Sequence, residues 1–208
     1  MTEKKRYDFG KGKLDSFQYD NPMLFFSKWY QEAQEQGCAD PHALVLSTVN
    51  EKGQPSSRVV YMRNLLEEGF IIYTNYLSRK GSEILKNHKV AALFYWDCCE
   101  RQVRVEGEAE KVDSKLSDEY FAQRPRISQI GAWASEQSSE IDSRASLEER
   151  VIHFEKKYPD VVPRPPHWGG YLIKPHYFEF WQGRLGRLHD RLCYIKEGKE
   201  WRKSRIAP

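Results

Sequence analysis

The chain has 208 residues, enough for one sizeable domain with a packed core and too few for two full ones. Its 33 Lys and Arg stand against 30 Asp and Glu, a net charge of +3 that gives no bulk attraction for nucleic acid, so any basic site must be local. No apolar run approaches the ~20 residues of a membrane helix and the first ten residues are charged instead of signal-like, so a cytoplasmic protein with no membrane partner is expected.

Residues 1–20 are rich in Lys, Asp and Gly without an apolar period, and read as a mobile N-terminal arm preceding a single domain over 21–208. Asn21-Pro22 is a helix start, and Leu24, Phe25, Trp29 and Ala33 follow at helical spacing as far as Gly37. Four β-branched or aromatic runs come next, over 43–49, 58–63, 70–75 and 90–96, bounded by turns such as Asn50-Glu51-Lys52-Gly53. A fifth run over 101–109 alternates, with Val103, Val105 and Ala109 on one face and Gln102, Arg104, Glu106 and Glu108 on the other. Ser78 can cap a short helix, and further helices are expected over 114–123, ending before Pro125, and over 143–158. Beyond a proline-rich connector the pattern gives a strand from Tyr171, another over 178–181, and a hairpin turning at Glu197-Gly198-Lys199. Seven or eight strands joined by short turns predict a mainly β fold, an antiparallel barrel with peripheral helices.

Cys38, Cys98, Cys99 and Cys193 form no CxxC pair and are expected to be reduced, structural thiols. The six histidines show no metal-ligand spacing, so no metal is expected. Motifs for nucleotide-binding loops, serine hydrolases and zinc proteases are missing, and cationic clusters remain.

Ser78-Arg79-Lys80-Gly81 brings two cations, a hydroxyl and free backbone N–H groups to a helix start, which suits a phosphate dianion; alone, it reads equally as a solvated helix end. Arg58 and Arg63 flank Val59-Val60-Tyr61-Met62, and each needs an anion or an acid; five residues apart, they face opposite sides of an ideal strand. Tyr120 and Arg124 lie one helical turn apart with Ser128 past the proline, a set able to hold a second phosphate or simply to end a surface helix. Between Trp181 and Arg191, Arg187, His189 and Arg191 alternate on one extended face; taken singly, His189 and Trp181 are more often structural.

These strings resemble the pyridoxine/pyridoxamine 5'-phosphate oxidase family. The likeness rests on Ser57-Arg58-Val59-Val60, Tyr73-Thr74-Asn75 with Ser78-Arg79-Lys80, Arg101-Gln102-Val103-Arg104-Val105-Glu106-Gly107, Tyr120-Phe121 with Arg124-Pro125, and Ser128-Gln129-Ile130-Gly131-Ala132-Trp133. It continues through Gln137-Ser138-Ser139, Trp168-Gly169-Gly170, Glu179-Phe180-Trp181-Gln182-Gly183, Arg187-Leu188-His189-Asp190-Arg191 and Arg205-Ile206-Ala207-Pro208. It implies a split-barrel, FMN-binding homodimer with sites built from both chains. By this resemblance FMN is held through the stretch Arg58, Val59, Val60, Tyr61, Met62 and Arg63, with Tyr73, Thr74, Arg79, Lys80, Gln102, Gln137, Ser138, Trp181 and Arg191. The substrates, pyridoxine 5'-phosphate and pyridoxamine 5'-phosphate, fall to Arg63, Tyr120, Arg124, Ser128, Arg187, Leu188 and His189, with Arg187 and His189 as the catalytic pair and O2 as acceptor. A split-barrel protein that binds flavin without this activity is the alternative, but it has no need of Tyr120, Arg124, Ser128, Arg187 and His189 together. Arg63 stands where the family commonly has lysine, Arg184 is assigned no role, and the resemblance makes Lys4 and Tyr7 candidates for the basic residue and tyrosine with which an N-terminal arm covers the substrate in relatives.

Overall fold

The structure, a computed structural model, describes residues 8–208. Helix α1 (Pro22–Glu35) starts as its sequence dictates: Asn21 Oδ1 accepts from Met23 N at 2.9 Å and Pro22 fills the first turn. Its buried stripe, Met23, Phe25, Phe26, Trp29 and Ala33, enters the main core.

Eight strands follow, β1 (Ala43–Val49), β2 (Pro55–Leu66), β3 (Gly69–Asn75), β4 (Lys89–Trp96), β5 (Arg101–Lys111), β6 (Trp168–Gln182), β7 (Asp190–Glu197) and β8 (Glu200–Arg205). All pair antiparallel in the order β3-β2-β1-β4-β5-β6-β7-β8, and β3 also pairs with β6. The first six therefore close a ring, and the β7–β8 hairpin extends from it, which is the barrel expected. On β5 the side chains of Val103, Val105 and Ala109 point into the core, as the alternation requires.

The long strand β6 joins two neighbourhoods. Its residues 168–173 pair with β3, 171–182 with β5 and 177–182 with β7. Pro175 is tolerated inside it because the register shifts there, opposite Gly107. A Cβ on Gly107 would sit 2.4 Å from the Lys174 carbonyl oxygen, so only glycine permits this approach. Where the sequence suggested two strands, a bulge makes one.

Helices α2 (Arg79–Lys86), α3 (Ser114–Ala122), α4 (Arg126–Ala134) and α5 (Arg144–Lys157) decorate the ring. The unexpected one is α4. Pro125 ends the preceding turn and also precedes α4 as its N-cap, so a residue read as a stop is equally a start. In the barrel core Phe26 meets Phe94 edge-on at 4.8 Å and Phe25 stacks on Phe180 at 4.2 Å. A smaller cluster, Phe121, Ile130, Val162 and Trp168, lies under α3, α4 and α5.

Two expectations change. Of the arm expected over 1–20, residues 8–20 form no helix or strand yet lie on the barrel. Leu14 is fully buried, and Gly10 N and Lys11 N both donate to Glu100 Oε2 at 2.8 Å. Cys38 and Cys98 are bridged as a disulfide, leaving Cys99 and Cys193 as buried free thiols, so the four cysteines are not all reduced. Sequence spacing carries no information on this pairing, because it joins the loop after α1 to the turn after β4. No helix among the described residues is long and apolar enough to cross a membrane.

Candidate active site

The ring is not zipped along its full length. β2 and β3 pair from Met62–Ile72 to Leu66–Gly69 and part beyond that point. Residues 58–61 keep β1 on one side, while residues 73–75 turn to β6. The split opens a cleft of about 530 Å³, floored by Tyr73, Thr74 and Asn75, walled by Arg58, Val59, Val60, Tyr61 and Arg63, and roofed by Tyr120, Arg124, Ser128, Gln137 and Trp168. The backbone of β2 that β3 abandons faces this opening and carries unladdered hydrogen-bonding groups.

Arg58 and Arg63 both line the cleft, although strict alternation places them on opposite faces. The register shift between Met62 and Asn64 resets the phase at Arg63. Met62 goes the other way, into the barrel core.

At one end of the cleft Ser78 caps α2, accepting from Gly81 N at 3.3 Å and donating to Asn75 O at 2.6 Å. Gly81 is required because a Cβ there would lie 2.2 Å from the Tyr76 carbonyl oxygen. Lys80, 8% exposed, donates to Gln137 Oε1 at 2.7 Å, Thr74 Oγ1 at 3.0 Å and Ser78 Oγ at 3.2 Å. Burial, with the Arg58 charge nearby, pulls its ammonium down to about 8. Its three partners are neutral, so a buried cation here is set to receive an anion.

The other cations of this end have an acid. Glu83, 5% exposed, accepts from Thr48, from Ser56 Oγ at 2.7 Å and from Arg79 Nε at 3.0 Å, and lies 3.5 Å from Arg58 Nη2. Burial alone would raise its carboxyl, but these hydrogen bonds and the Arg79 charge outweigh it and hold the group at about 2. Glu83 thus fixes the Arg58 fork, which also donates to Leu46 O at 3.3 Å and Thr48 Oγ1 at 2.6 Å.

A carboxylate depressed from 4.5 to about 2 stabilises the fold fully above about pH 4.5 and loses that contribution as pH falls through about 2. We expect Glu83→Gln to remove on the order of 3 kcal/mol of pH-dependent stability over that window. Urea denaturation of both proteins across the acid range reads it directly, and parallel curves would sink the assignment.

At the far end a stack organises the second cation. Tyr73 lies on Tyr120 at 3.8 Å and 7°, and Trp168 continues the stack 5.5 Å from Tyr73 at 9°. The Arg124 guanidinium sits 4.4 Å over the Trp168 ring, and its Nη1 is buried with no hydrogen-bond partner among the described residues. An orphaned buried guanidinium nitrogen facing a cleft calls for an anion. Ser128, in the first turn of α4, completes this end.

Other expected residues lie elsewhere in the chain. Arg79 points away, its side chain 58% exposed and engaged with Glu83. Gln102 lines a separate hollow of about 270 Å³ on β1, β4 and β5, and Ser138, with φ 75°, faces α5. Trp181 and His189 pack together at 4.6 Å under Phe9, and Arg191 is held by Glu179 through contacts of 2.9 and 3.0 Å. Arg187, at φ 65°, and Leu188 stand exposed on the loop before β7. His189 Nδ1 accepts from Arg184 N at 3.1 Å, which places the ring proton on Nε2. Burial and the Arg187 charge lower its pKa, keeping the imidazole neutral. Lys4 and Tyr7 lie outside the described residues.

Sequence reasoning assigned no role to Asn75, Gly131, Ala132 and Ser135, which line the cleft, nor to the two acids, Glu83 and Glu179, that aim the arginines. Glu83 left a local signal, standing four residues after Arg79 on one helix face, and Asn75, Gly131, Ala132 and Glu179 stood within the strings of the family resemblance without an assigned role.

An antiparallel barrel split between two strands, with cations along the opening, defines a split-barrel protein. Residues 30–158 match the family described as pyridoxamine 5'-phosphate oxidase, and residues 168–208 match the pyridoxine 5'-phosphate oxidase C-terminal dimerisation region. The pyridoxine/pyridoxamine 5'-phosphate oxidase of Rubrobacter xylanophilus is 50% identical over 189 residues, 90% of this chain and 87% of that protein. That of Ralstonia pickettii is 48% identical over 205 residues, 98% of this chain and 97% of that protein. Among solved structures, PhzG of Burkholderia lata in complex with tetrahydrophenazine-1-carboxylic acid superposes with a TM-score of 0.88 at 28% identity, covering 95% of this chain and all of that one. An FMN-binding protein of Nostoc punctiforme shares the fold, with a TM-score of 0.68 at 17% identity over 94% of this chain and all of that one. The chain belongs to the pyridoxine/pyridoxamine 5'-phosphate oxidase family of enzymes.

Proposed function

We propose that this enzyme oxidises pyridoxine 5'-phosphate and pyridoxamine 5'-phosphate to pyridoxal 5'-phosphate, using FMN and O2 and releasing H2O2, in the synthesis and salvage of vitamin B6. The observation that carries the reading is a pair of cations lining one cleft, the buried Lys80 and Arg124 with its buried Nη1, neither of which meets a carboxylate among the described residues. Two such cations suit two phosphates, one on a cofactor and one on a substrate.

Lys80 and Arg58 hold the cofactor phosphate, with Thr74 and Tyr73 beside it, Arg79 acts through Glu83, and the free edge of β2 at Val59, Val60 and Tyr61 offers backbone groups to the ring system. Gln137, already within 2.7 Å of Lys80, lies between phosphate and ring. When bound, FMN supplies the acceptor for the hydride leaving the substrate C4' carbon and passes the electrons to O2. Arg63, Tyr120, Arg124 and Ser128 seat the 5'-phosphate, and the Tyr73–Tyr120–Trp168 stack holds the planar Arg124 fork in one orientation before substrate arrives.

Gln102, Trp181, Arg187, Leu188, His189 and Arg191 do not reach this cleft within one chain. The match of residues 168–208 to a dimerisation region supports a homodimer in which a second copy supplies the C-terminal members of this set. There Arg187 and the neutral His189, donating from Nε2, orient the pyridine ring and shut out water. Met62 contributes from the core, by holding the split in place.

Purified protein reconstituted with FMN and given pyridoxamine 5'-phosphate anaerobically should lose its flavin absorbance, and regain it in air with pyridoxal 5'-phosphate and peroxide formed. Flavin bands indifferent to the substrate would leave a flavin-binding protein without this activity, and no flavin uptake would overturn the cofactor assignment as well.

A further inference from the structure

Three cysteines meet on the side of the barrel that carries the N-terminal segment. Cys38, in the loop after α1, is bridged to Cys98, in the turn between β4 and β5, with Cα atoms 5.5 Å apart. The Cys99 sulfur lies 3.4 Å from that of Cys98 and 3.8 Å from that of Cys38, so the third thiol is within reach of both disulfide sulfurs. Cys38 and Cys99 are buried, while Cys98 is half-buried and gives the group its way to solvent.

This turn is wired to residues 10–11 of the N-terminal segment and to the segment that leads into Arg187 and His189. Gln182 Nε2 donates to Cys99 O and Glu100 O at 3.2 Å each, and Gly183 N donates to Glu100 O at 2.8 Å. Lys11 Nζ donates to Cys98 O at 3.0 Å, and the Glu100 carboxylate takes the amides of Gly10 and Lys11. Glu100 itself holds a left-handed φ of 54°, a backbone state that a side chain adopts only when its surroundings impose it. From there Phe9 leans on Trp181 at 5.4 Å and on His189 at 5.2 Å.

We propose that Cys38, Cys98 and Cys99 form a thiol–disulfide switch, in which the Cys38–Cys98 bridge clamps the turn at 97–100 and thereby holds residues 8–12 and the loop 183–189 in place. The oxidant is a peroxide. The Cys98 thiolate attacks the O–O bond, giving a sulfenic acid and water; the Cys38 thiol then displaces the sulfenic hydroxyl, forming the S–S bond and a second water. Two electrons leave the two sulfurs and reduce one peroxide. A dithiol reverses the step by exchange, taking up the disulfide itself and returning two thiols. Cys99, buried so that its thiol is pushed up, stays protonated beside the bridge and can enter the exchange when an incoming thiol opens it.

Peptide mapping after alkylation and hydrogen exchange on the full-length protein test this together. After peroxide treatment the peptides bearing Cys38 and Cys98 should be linked, with Cys99 and Cys193 alkylated only on unfolding. After dithiothreitol and unfolding all four should be alkylated with no linked pair, and in the native reduced protein amides at 8–12 and 183–189 should exchange at least about tenfold faster while β1, β4 and β5 stay protected. Cys38→Ser and Cys98→Ser should each show the fast exchange without reductant and no response to peroxide. Four alkylated thiols after peroxide would overturn the proposal, as would a linked pair whose reduction leaves exchange at 8–12 and 183–189 unchanged. Stoichiometric zinc that protects three thiols from alkylation would overturn it in favour of a metal site.

Discussion

Replacing Lys80 by methionine should weaken FMN binding by about 100-fold or more, on the order of 3 kcal/mol, while leaving the protein folded. Among the described residues the buried ammonium has only the neutral partners Thr74, Ser78 and Gln137, so its charge is uncompensated there until a dianion arrives. Methionine keeps most of the chain length and removes the charge. The pH dependence gives a second handle. Without an anion the ammonium titrates at about 8, and a bound phosphate favours its charged form. Affinity for FMN should therefore be full below that value and decline as pH rises through it, and the decline should vanish in Lys80→Met. Fluorescence titration of the apoprotein with FMN measures both; an unchanged Kd in the variant would refute the phosphate assignment.

The second large effect is expected at Arg124. Arg124→Leu should lower kcat/KM for pyridoxamine 5'-phosphate by about 30- to 1000-fold, the range for losing a buried charged contact of roughly 2–4 kcal/mol. Flavin content should not change, since the residue stands at the opposite end of the cleft from Lys80. Because Nη1 has no partner among the described residues, its removal leaves no orphaned group among them, and leucine still packs on the Trp168 ring. Arg124→Lys keeps the charge but gives up the planar fork held 4.4 Å over that ring, so it should recover only part of the loss. Steady-state kinetics with flavin-saturated proteins decide it, and a variant that loses FMN along with turnover would refute the separation of the two sites.

The strands were legible because half-buried antiparallel strands alternate and end in turn residues, as β5 does from Val103 to Ala109. The gathering of cations around Ser78 and Tyr120 was legible as well, and the structure brings Lys80 and Arg124 to one cleft. The shape between them was not. A period of two assigns Arg63 to the face opposite Arg58, and only the register shift at Met62/Asn64, a property of the pairing with β3, brings them together. Pro125 and Pro175 misled for a related reason: each reads locally as a break, whereas one opens α4 and the other occupies a bulge fixed by Gly107 across the ladder. Residues 8–20 carry too little apolar content to announce a docked segment, and what docks them, Leu14 and two amides on Glu100, lies about ninety residues or more away in sequence on the partner side.

The β3–β6 seam also has a bearing on how the enzyme is assembled. Phe70 faces Ile173 and Asn75 faces Trp168, so the contact that shuts the ring joins segments on the order of a hundred residues apart and carries the largest loop-closure entropy in the barrel. Local hairpins such as β1–β2 can form early, but Thr74 and Trp168 come together only when this seam closes, and with them the cleft. A molecule that binds the cleft therefore binds the closed ring alone, and at a hundred times its Kd contributes about 2.7 kcal/mol to keeping it closed. On the proposed reading that molecule is FMN, and its supply raises the fraction of newly made chain that keeps the ring closed.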